Sequence, residues 1–127
     1  MELTTKHHGD RRFHVLLAEQ ALLTTVGNDS VMIGQLDRLL VAAGLPRVTL
    51  GIVPAIAEIP QQTTNFVMFD DRMTTVETIT AELTVTQPRE IVTYGRTFDM
   101  LAKLSVTGDF ARALILAAVD RRRTTSQ

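Results

Sequence analysis

The sequence has no cysteine, no tryptophan, one tyrosine and a formal net charge of -1 at pH 7. Without cysteine there is no disulfide framework, no thiolate nucleophile and no cysteine-bound metal. A net charge near zero gives no overall attraction to nucleic acid or to anionic lipid. No apolar run approaches the roughly 18–20 residues of a membrane-spanning helix, and none follows the N-terminal charges as in a secretory signal. We therefore expect a cytoplasmic globular protein without a membrane partner.

The 127 residues suffice for one domain, and 45% of them are hydrophobic. A chain of this size buries enough apolar surface to fold without a disulfide or a metal. The composition predicts a flexible polar N-terminal arm at residues 1–12, a single domain at 13–120, and a basic and polar tail at 121–127.

The first half of that domain predicts a strand, a helix and a second strand. Residues 13–18 and 48–53 are short apolar segments, which indicate strands covered on both faces. Apolar residues between them recur every three or four positions, as on one face of a helix. Such a crossover makes the two strands parallel. The helical stripe comprises Met32, Leu36, Leu39, Leu40 and Ala43.

The second half predicts antiparallel strands and then two helices. Residues 66–69 form a third strand, and the alternating threonine-rich segment 73–86 is long enough for two strands or one bent strand. Pro88 is placed to begin a helix. We therefore expect an α+β fold: a βαβ unit, antiparallel strands and two C-terminal helices, giving a mixed sheet covered by helices. The expected apolar stripes are Ile91, Tyr94, Phe98 and Leu101 in the first of these helices, and Phe110, Leu114, Ala117 and Ala118 in the second.

Three titratable residues are candidates for catalysis. Glu77 shares its parity with Ile79 and Leu83, so a regular strand would point it to the apolar side, as a pocket acid or as a satisfied structural carboxylate. Glu19 follows the first strand at the sheet edge where ligands bind, and it would serve as an acid–base partner of Glu77 or as a salt-bridging or capping residue. His14 lies within the first strand, as a base or as a core histidine.

Other site types find no support. His7 and His8 are adjacent, and no third ligand follows at the spacing of a zinc site. The sequence contains no phosphate-binding loop, no dinucleotide glycine pattern and no nucleophile elbow, so we expect no metal and no cofactor. The arginines at 121–123 indicate a solvated helix end, and with one tyrosine for stacking we expect no direct binding of nucleic acid.

Several segments occur in an order and spacing that resemble one group of proteins. They are residues 13–22, 26–27, 35–40, 48–54 and 76–78 and the Tyr94…Phe98…Leu101 helix. Together, across about residues 13–118, they resemble the C-terminal domain of actinobacterial helix-turn-helix regulators of the xenobiotic-response-element type, also described as antitoxin-like transcriptional regulators. The resemblance implies a domain that senses a partner or an effector, and it transfers no catalytic residue. The family-like positions are Glu19, Gln35, Pro54, Phe66, Glu77 and Tyr94.

We weigh two functions. The favoured one is a non-catalytic domain that senses a small partner protein or a small-molecule effector, alone or as a homodimer, through Glu19, Gln35, Phe66, Glu77 and Tyr94. The alternative is a standalone cofactor-independent enzyme of the isomerase, cyclase or lyase type, or a small-molecule-binding protein of a biosynthetic cluster. It would use a pocket near Glu77, with Glu77, Glu19 and His14 as acid–base groups.

Overall fold

A computed structural model describes residues 3–8, 12–58, 65–78 and 80–125. Ile79, part of the expected arm and the last two residues of the expected tail lie outside these ranges. The elements are β1 (Leu3–His8), β2 (Arg12–Ala18), α1 (Glu19–Leu23), α2 (Asp29–Ala43), β3 (Val48–Val53), β4 (Phe66–Phe69), β5 (Met73–Glu77), β6 (Glu82–Val85), α3 (Pro88–Leu104) and α4 (Gly108–Thr125).

The strands form one mixed sheet in the order β3-β2-β1-β4-β5-β6. β2 pairs with β3 in parallel, as the βαβ prediction requires, and β1 pairs with β4 in parallel. The other three pairs are antiparallel. The α+β class, the mixed sheet and the two C-terminal helices are therefore confirmed.

The prediction of a flexible arm at residues 1–12 is wrong for β1. This strand lies inside the sheet, bonded to β2 on one side and to β4 on the other. Its composition is polar, but pairing on both sides satisfies its backbone, and Thr5 is buried against its neighbours. Lys6 Nζ lies 3.7 Å from a carboxylate oxygen of Asp71 in the β4–β5 turn. Polarity alone therefore does not separate an arm from a central strand.

Each face of the sheet carries its own hydrophobic core. Adjacent residues Leu16 and Leu17 are both buried and point to opposite faces, as expected for a strand covered twice. On one face the helices α1, α2 and α4 cover β2 and β3, in a core built around Leu17, Leu22, Leu36, Ile52 and Ile115. On the other face α3 crosses the sheet, in a core built around Leu16, Phe66, Met68, Phe98 and Leu101.

The predicted stripes of α2 and α3 are confirmed. In α2, Met32 and Leu36 are buried and the other three stripe residues pack partly buried against the core. The helix begins where Asn28 Oδ1 accepts a hydrogen bond from the Val31 N–H at 3.0 Å. In α3, Ile91, Phe98 and Leu101 are buried, and Tyr94 packs partly buried beside them.

The predicted stripe of α4 is wrong for Phe110 and Ala117. Ala118 is buried and Leu114 half-buried, as expected, but Phe110 is 78% exposed and Ala117 is also exposed. In a helix so rich in alanine, two neighbouring stripes at helical spacing are nearly equal in hydrophobicity. The presence of the large Phe110 side chain in one stripe therefore does not decide which stripe packs inward. The residues that do pack inward are Ala111, Ile115, Ala118, Val119 and Arg122.

The expected solvated end of α4 is wrong for Arg122, whereas Arg121 and Arg123 are exposed as expected. The helix continues to Thr125, and the Arg122 side chain is only 7% exposed. Its guanidinium donates to Thr25 Oγ1 at 2.8 Å, to Asp29 Oδ1 at 3.0 Å and to the Leu22 carbonyl oxygen at 3.2 Å. One arginine of the run therefore ties the end of α4 to α1 and to the start of α2.

Gly51 lets the α3–α4 connection lie against β3. The Ile52 and Val106 backbones exchange two hydrogen bonds of 2.8 Å beside it. A Cβ atom at Gly51 would lie 2.7 Å from Ser105 Oγ and 2.8 Å from Leu16 Cδ2. A side chain at this position would therefore force Ser105 and Leu16 to move.

Candidate functional site

The structure points Glu77 away from the core. In β5, Thr74 and Val76 are buried, while Glu77 is exposed and its N–H donates to the Asn65 carbonyl oxygen at 3.3 Å. The prediction of an apolar-side carboxylate is therefore wrong. It assumed one unbroken alternation, but a turn ends β5, where the Thr78 N–H and hydroxyl both donate to the Ala81 carbonyl oxygen.

That turn reverses which residue numbers face the core. Val76 lies opposite Leu83, and Thr74 lies opposite Val85. Residues opposite one another share a face, so even positions of β5 face the same way as odd positions of β6. The parity of β6 therefore says nothing about the side chain of Glu77.

Glu19 has a structural contact at the carboxyl edge of the sheet. Its Oε1 accepts a hydrogen bond of 2.8 Å from the Ala55 backbone N–H. Because β2 and β3 are parallel, Glu19 and Ala55 follow the same ends of neighbouring strands. The carboxylate thus joins the start of α1 to the loop after β3, which agrees with the structural alternative rather than an acid–base role.

Glu19 and Glu77 lie at the same sheet edge but do not meet. The strand pairings make β2 and β5 point the same way, with β1 and β4 between them. Three strand spacings separate the two carboxylates by roughly 14 Å, which is far beyond the reach of one shared proton.

The remaining candidates divide between the α3 face of the sheet and α2. His14 packs edge-on against Phe98, with ring centroids 5.1 Å apart. Phe66 is buried, and its ring centroid lies 5.0 Å from that of Tyr94. Gln35 is exposed on α2, on the opposite side of the sheet. The structure therefore brings Phe66 and Tyr94 together, and it gathers the six predicted residues into no single site.

A cleft lies instead on the outer side of α3. Its volume is about 520 Å³, within the range of small-molecule sites. Glu58, from the loop after β3, is one of its lining residues. Met100 and Leu104 are half-buried and supply apolar lining. The charged side chains of α3 that line the cleft are Arg96, Asp99 and Lys103.

The charges of this cleft are free to meet a ligand. Two are positive and two negative, and all four residues are exposed. Within residues 3–8, 12–58, 65–78 and 80–125, none of them has an ion pair or a side-chain hydrogen bond. The same ranges hold no group of three His, Asp or Glu residues that could bind a metal ion. The cleft can therefore offer ionic contacts of both signs over an apolar surface.

The sequence contained a signal for these residues. Arg96, Asp99 and Lys103 recur at spacings of three and four, so they share one helical face. That face lies opposite the predicted apolar stripe of α3 and would ordinarily be interpreted as solvated surface. The placement of Glu58 beside it depends on a loop that no periodicity describes.

Comparisons with known proteins give the family but no activity. No curated protein and no solved structure matches the chain. Among the described helices, none is both long enough and apolar enough to cross a bilayer. One family model, described as a domain of unknown function (DUF5753), matches residues 2–117. This match covers nearly all of the 127 residues, and the chain belongs to the DUF5753 family.

Proposed function

We propose that the chain is a non-catalytic sensing domain that recognises a small effector, or a short segment of a partner protein, in the cleft beside α3. The observation that carries the proposal is the cleft of about 520 Å³, whose four charged side chains have no ion pair or side-chain hydrogen bond within the described part of the chain. A solvated helix face has no second element beside it, whereas here Glu58 also lines the cleft, and Met100 and Leu104 provide apolar contact. Such a combination of apolar lining with a few polar groups is typical of ligand sites.

The charges specify the chemistry of the ligand. Arg96 and Lys103 would bind a carboxylate, and Arg96 can do so with two parallel hydrogen bonds. Asp99 and Glu58 would bind an ammonium group. An aliphatic body between these two groups would lie on Met100 and Leu104. We therefore propose a zwitterionic ligand with an aliphatic side chain, and a short aliphatic peptide has this chemistry.

The geometry favours sensing over the enzymatic alternative. Acid–base catalysis needs groups within hydrogen-bond reach of one substrate atom. Glu77 is exposed, the Glu19 carboxylate accepts from Ala55, and His14 packs on Phe98. None of the three lines the cleft. The distribution of these groups therefore supports binding without turnover.

The proposal extends to the regulators that the sequence resembles. In them a sensing domain follows a DNA-binding domain, and we propose that this chain serves the same purpose in the cytoplasm. Direct binding of nucleic acid is not part of the proposal. The cations of the cleft share it with Asp99 and Glu58, and Arg122 of the C-terminal arginine run is buried in contacts of its own. Neither the cleft nor the arginine run therefore forms the basic surface that phosphates require.

The test is a titration of uniformly ¹⁵N-labelled protein with the dipeptide Leu-Leu, followed by backbone amide chemical shifts. We expect the shifts to concentrate at Glu58 and residues 96–104, with a dissociation constant on the order of millimolar for so small a probe. Acetylated and amidated Leu-Leu, which lacks both charges, should bind at least ~10-fold more weakly. The dipeptide should remain chemically unchanged throughout.

A charge-reversed variant supplies the control. Arg96→Glu/Lys103→Glu should abolish the response, whereas Arg38→Glu, an exposed reversal on α2, should leave it intact. Three results would overturn the proposal: no shift at saturating probe, shifts scattered over the surface, or an equal response from both variants. Hydrolysis or isomerisation of the probe would favour the enzymatic alternative.

A further inference from the structure

Glu58 reaches the cleft through a short turn that follows β3. The Ala57 N–H donates to the Pro54 carbonyl oxygen at 3.0 Å, which closes a β-turn over residues 54–57. Glu58 is the next residue along the chain. The direction in which this turn leaves the sheet therefore decides where the Glu58 carboxylate lies.

The side chains of the turn give it little support. Ile56 is 92% exposed, and Ala55 is exposed as well. Pro54 is half-buried, and the small Ala57 side chain packs partly buried against the core on the α3 face. Because these residues bury little apolar surface, packing alone holds the turn weakly.

A hydrogen bond from outside the turn supplies a further anchor. The N–H of the second residue of a β-turn is not used by the hydrogen bond that closes the turn. Here that residue is Ala55, and its N–H donates to Glu19 Oε1 at 2.8 Å. Hydrogen bonds to a carboxylate are roughly twice as strong as those between neutral groups. Glu19 thus fixes the turn on the side of α1.

The parallel register of β2 and β3 brings Glu19 to the turn. Ala18 lies opposite Val53 at the ends of these strands. Glu19 follows Ala18 directly, and the turn follows Val53, so α1 and the turn begin side by side. Ala21 and Leu22 of α1 are buried in the core on the other face of the sheet. The backbone that carries Glu19 is therefore held independently of the turn.

We propose that Glu19 is a positioning residue for the cleft: its hydrogen bond to Ala55 holds the turn so that the Glu58 carboxylate lines the cleft beside α3. The inference rests on the proposed function, in which Glu58 helps to bind the ammonium group of the ligand. Glu19 itself does not line the cleft, so it acts through Glu58. Its role is therefore in selecting ligands that carry an ammonium group.

The first test needs no ligand. In ¹⁵N-labelled Glu19→Ala, the Ala55 amide proton should move upfield and should exchange with solvent at least ~5-fold faster, because its acceptor is gone. The Glu58 amide should shift with it, whereas the Arg96 and Lys103 amides should keep their wild-type positions. Glu19→Gln retains a side-chain acceptor oxygen and should return the Ala55 and Glu58 signals close to their wild-type positions.

The second test compares Leu-Leu with N-acetyl-Leu-Leu, which keeps the carboxylate but lacks the ammonium group. Glu19→Ala should weaken Leu-Leu binding ~3–10-fold and should change the affinity for N-acetyl-Leu-Leu less than ~2-fold, because only the contribution of Glu58 is lost. Glu58→Gln should show the same pattern. Glu19→Ala/Glu58→Gln should bind Leu-Leu no more weakly than Glu58→Gln, because the two residues act through one contact.

Glu82→Ala is the matched control. Glu82 is exposed at the start of β6, opposite the residue that ends β5, so it lies at the same edge of the sheet. Five strand spacings, or roughly 24 Å, separate β6 from β3. This variant removes the same charge from the same edge without reaching the turn. It should keep the wild-type Ala55 and Glu58 amide shifts and the wild-type affinity for Leu-Leu.

Wild-type Ala55 and Glu58 amides in Glu19→Ala would overturn the inference, whether or not the chain binds a peptide. Equal weakening of both probes would overturn it as well, because the fold as a whole would then be affected. So would a Glu19→Gln variant that behaves like Glu19→Ala, because the charge and not the hydrogen bond would then matter. If the wild-type chain binds neither probe, the proposed function fails, and the amide signals alone still decide whether Glu19 positions Glu58.

Discussion

Replacing Arg122 should destabilise the fold more than any other arginine substitution in its run. The side chain enters a buried position between α1, α2 and α4 and donates three hydrogen bonds. In Arg122→Ala all three acceptors lose a charged donor, and the aliphatic stem also leaves its packing.

The size of the stability loss in Arg122→Ala depends on how well water can reach the three oxygens that lose their hydrogen bonds to Arg122. Removing one partner of a fully buried ion pair costs about 3–5 kcal/mol, because the other charge stays unpaired. Here Asp29 is 33% exposed and can be hydrated by water. The Leu22 carbonyl oxygen has less access, and an unsatisfied buried acceptor costs ~1–3 kcal/mol. We therefore expect a loss of about 2–3 kcal/mol in the free energy of unfolding.

The assay is urea unfolding followed by far-ultraviolet circular dichroism, with Arg123→Ala as the control. Arg123 is exposed on the same helical turn, so its removal should change the free energy by less than ~0.5 kcal/mol. Both variants remove one positive charge from the same helix end, and their interactions with the helix dipole therefore largely cancel. Equal stabilities of the two variants would refute the assignment of Arg122 as the residue that ties α4 to α1 and α2.

Two further predictions concern positions where the packing decides whether a substitution stabilises or destabilises the fold. Gly51→Ala should lose about 1–3 kcal/mol of stability in urea unfolding, because the new Cβ overlaps Ser105 and Leu16. Gly34→Ala in α2, where a Cβ meets nothing within 4 Å, should gain up to ~1 kcal/mol. An equal change in stability at both sites would contradict the close approach at Gly51. Thr74→Val should be neutral or stabilising by up to ~1 kcal/mol, because the fully buried Thr74 hydroxyl has no hydrogen-bond partner among the described residues, and a clear loss in thermal unfolding would show that this oxygen is satisfied.

Much of the fold could be predicted where a single hydrophobic pattern extends over a whole helix or strand. The strands at 13–18 and 48–53 and the stripes of α2 and α3 are strongly apolar on one side, so the inward face is unambiguous. The parallel pairing of β2 and β3 then follows from the helix between them.

The wrong predictions concern segments whose position depends on contacts with residues distant in the sequence. β1 is polar, and its place in the sheet depends on pairing with β2 and β4, which no local pattern reveals. In α4 two stripes compete, and the buried one includes Arg122, whose acceptors lie roughly a hundred residues earlier in the chain. Glu77 was misplaced because alternation was carried through a turn that changes the parity.

The candidate site was harder to predict than the fold because its residues share no pattern. Glu19 follows β2 and Glu77 ends β5 at the same edge of the sheet, but β1 and β4 separate them. The cleft combines one helical face with a residue from a loop, and only the folded chain brings Glu58 to Arg96 and Lys103.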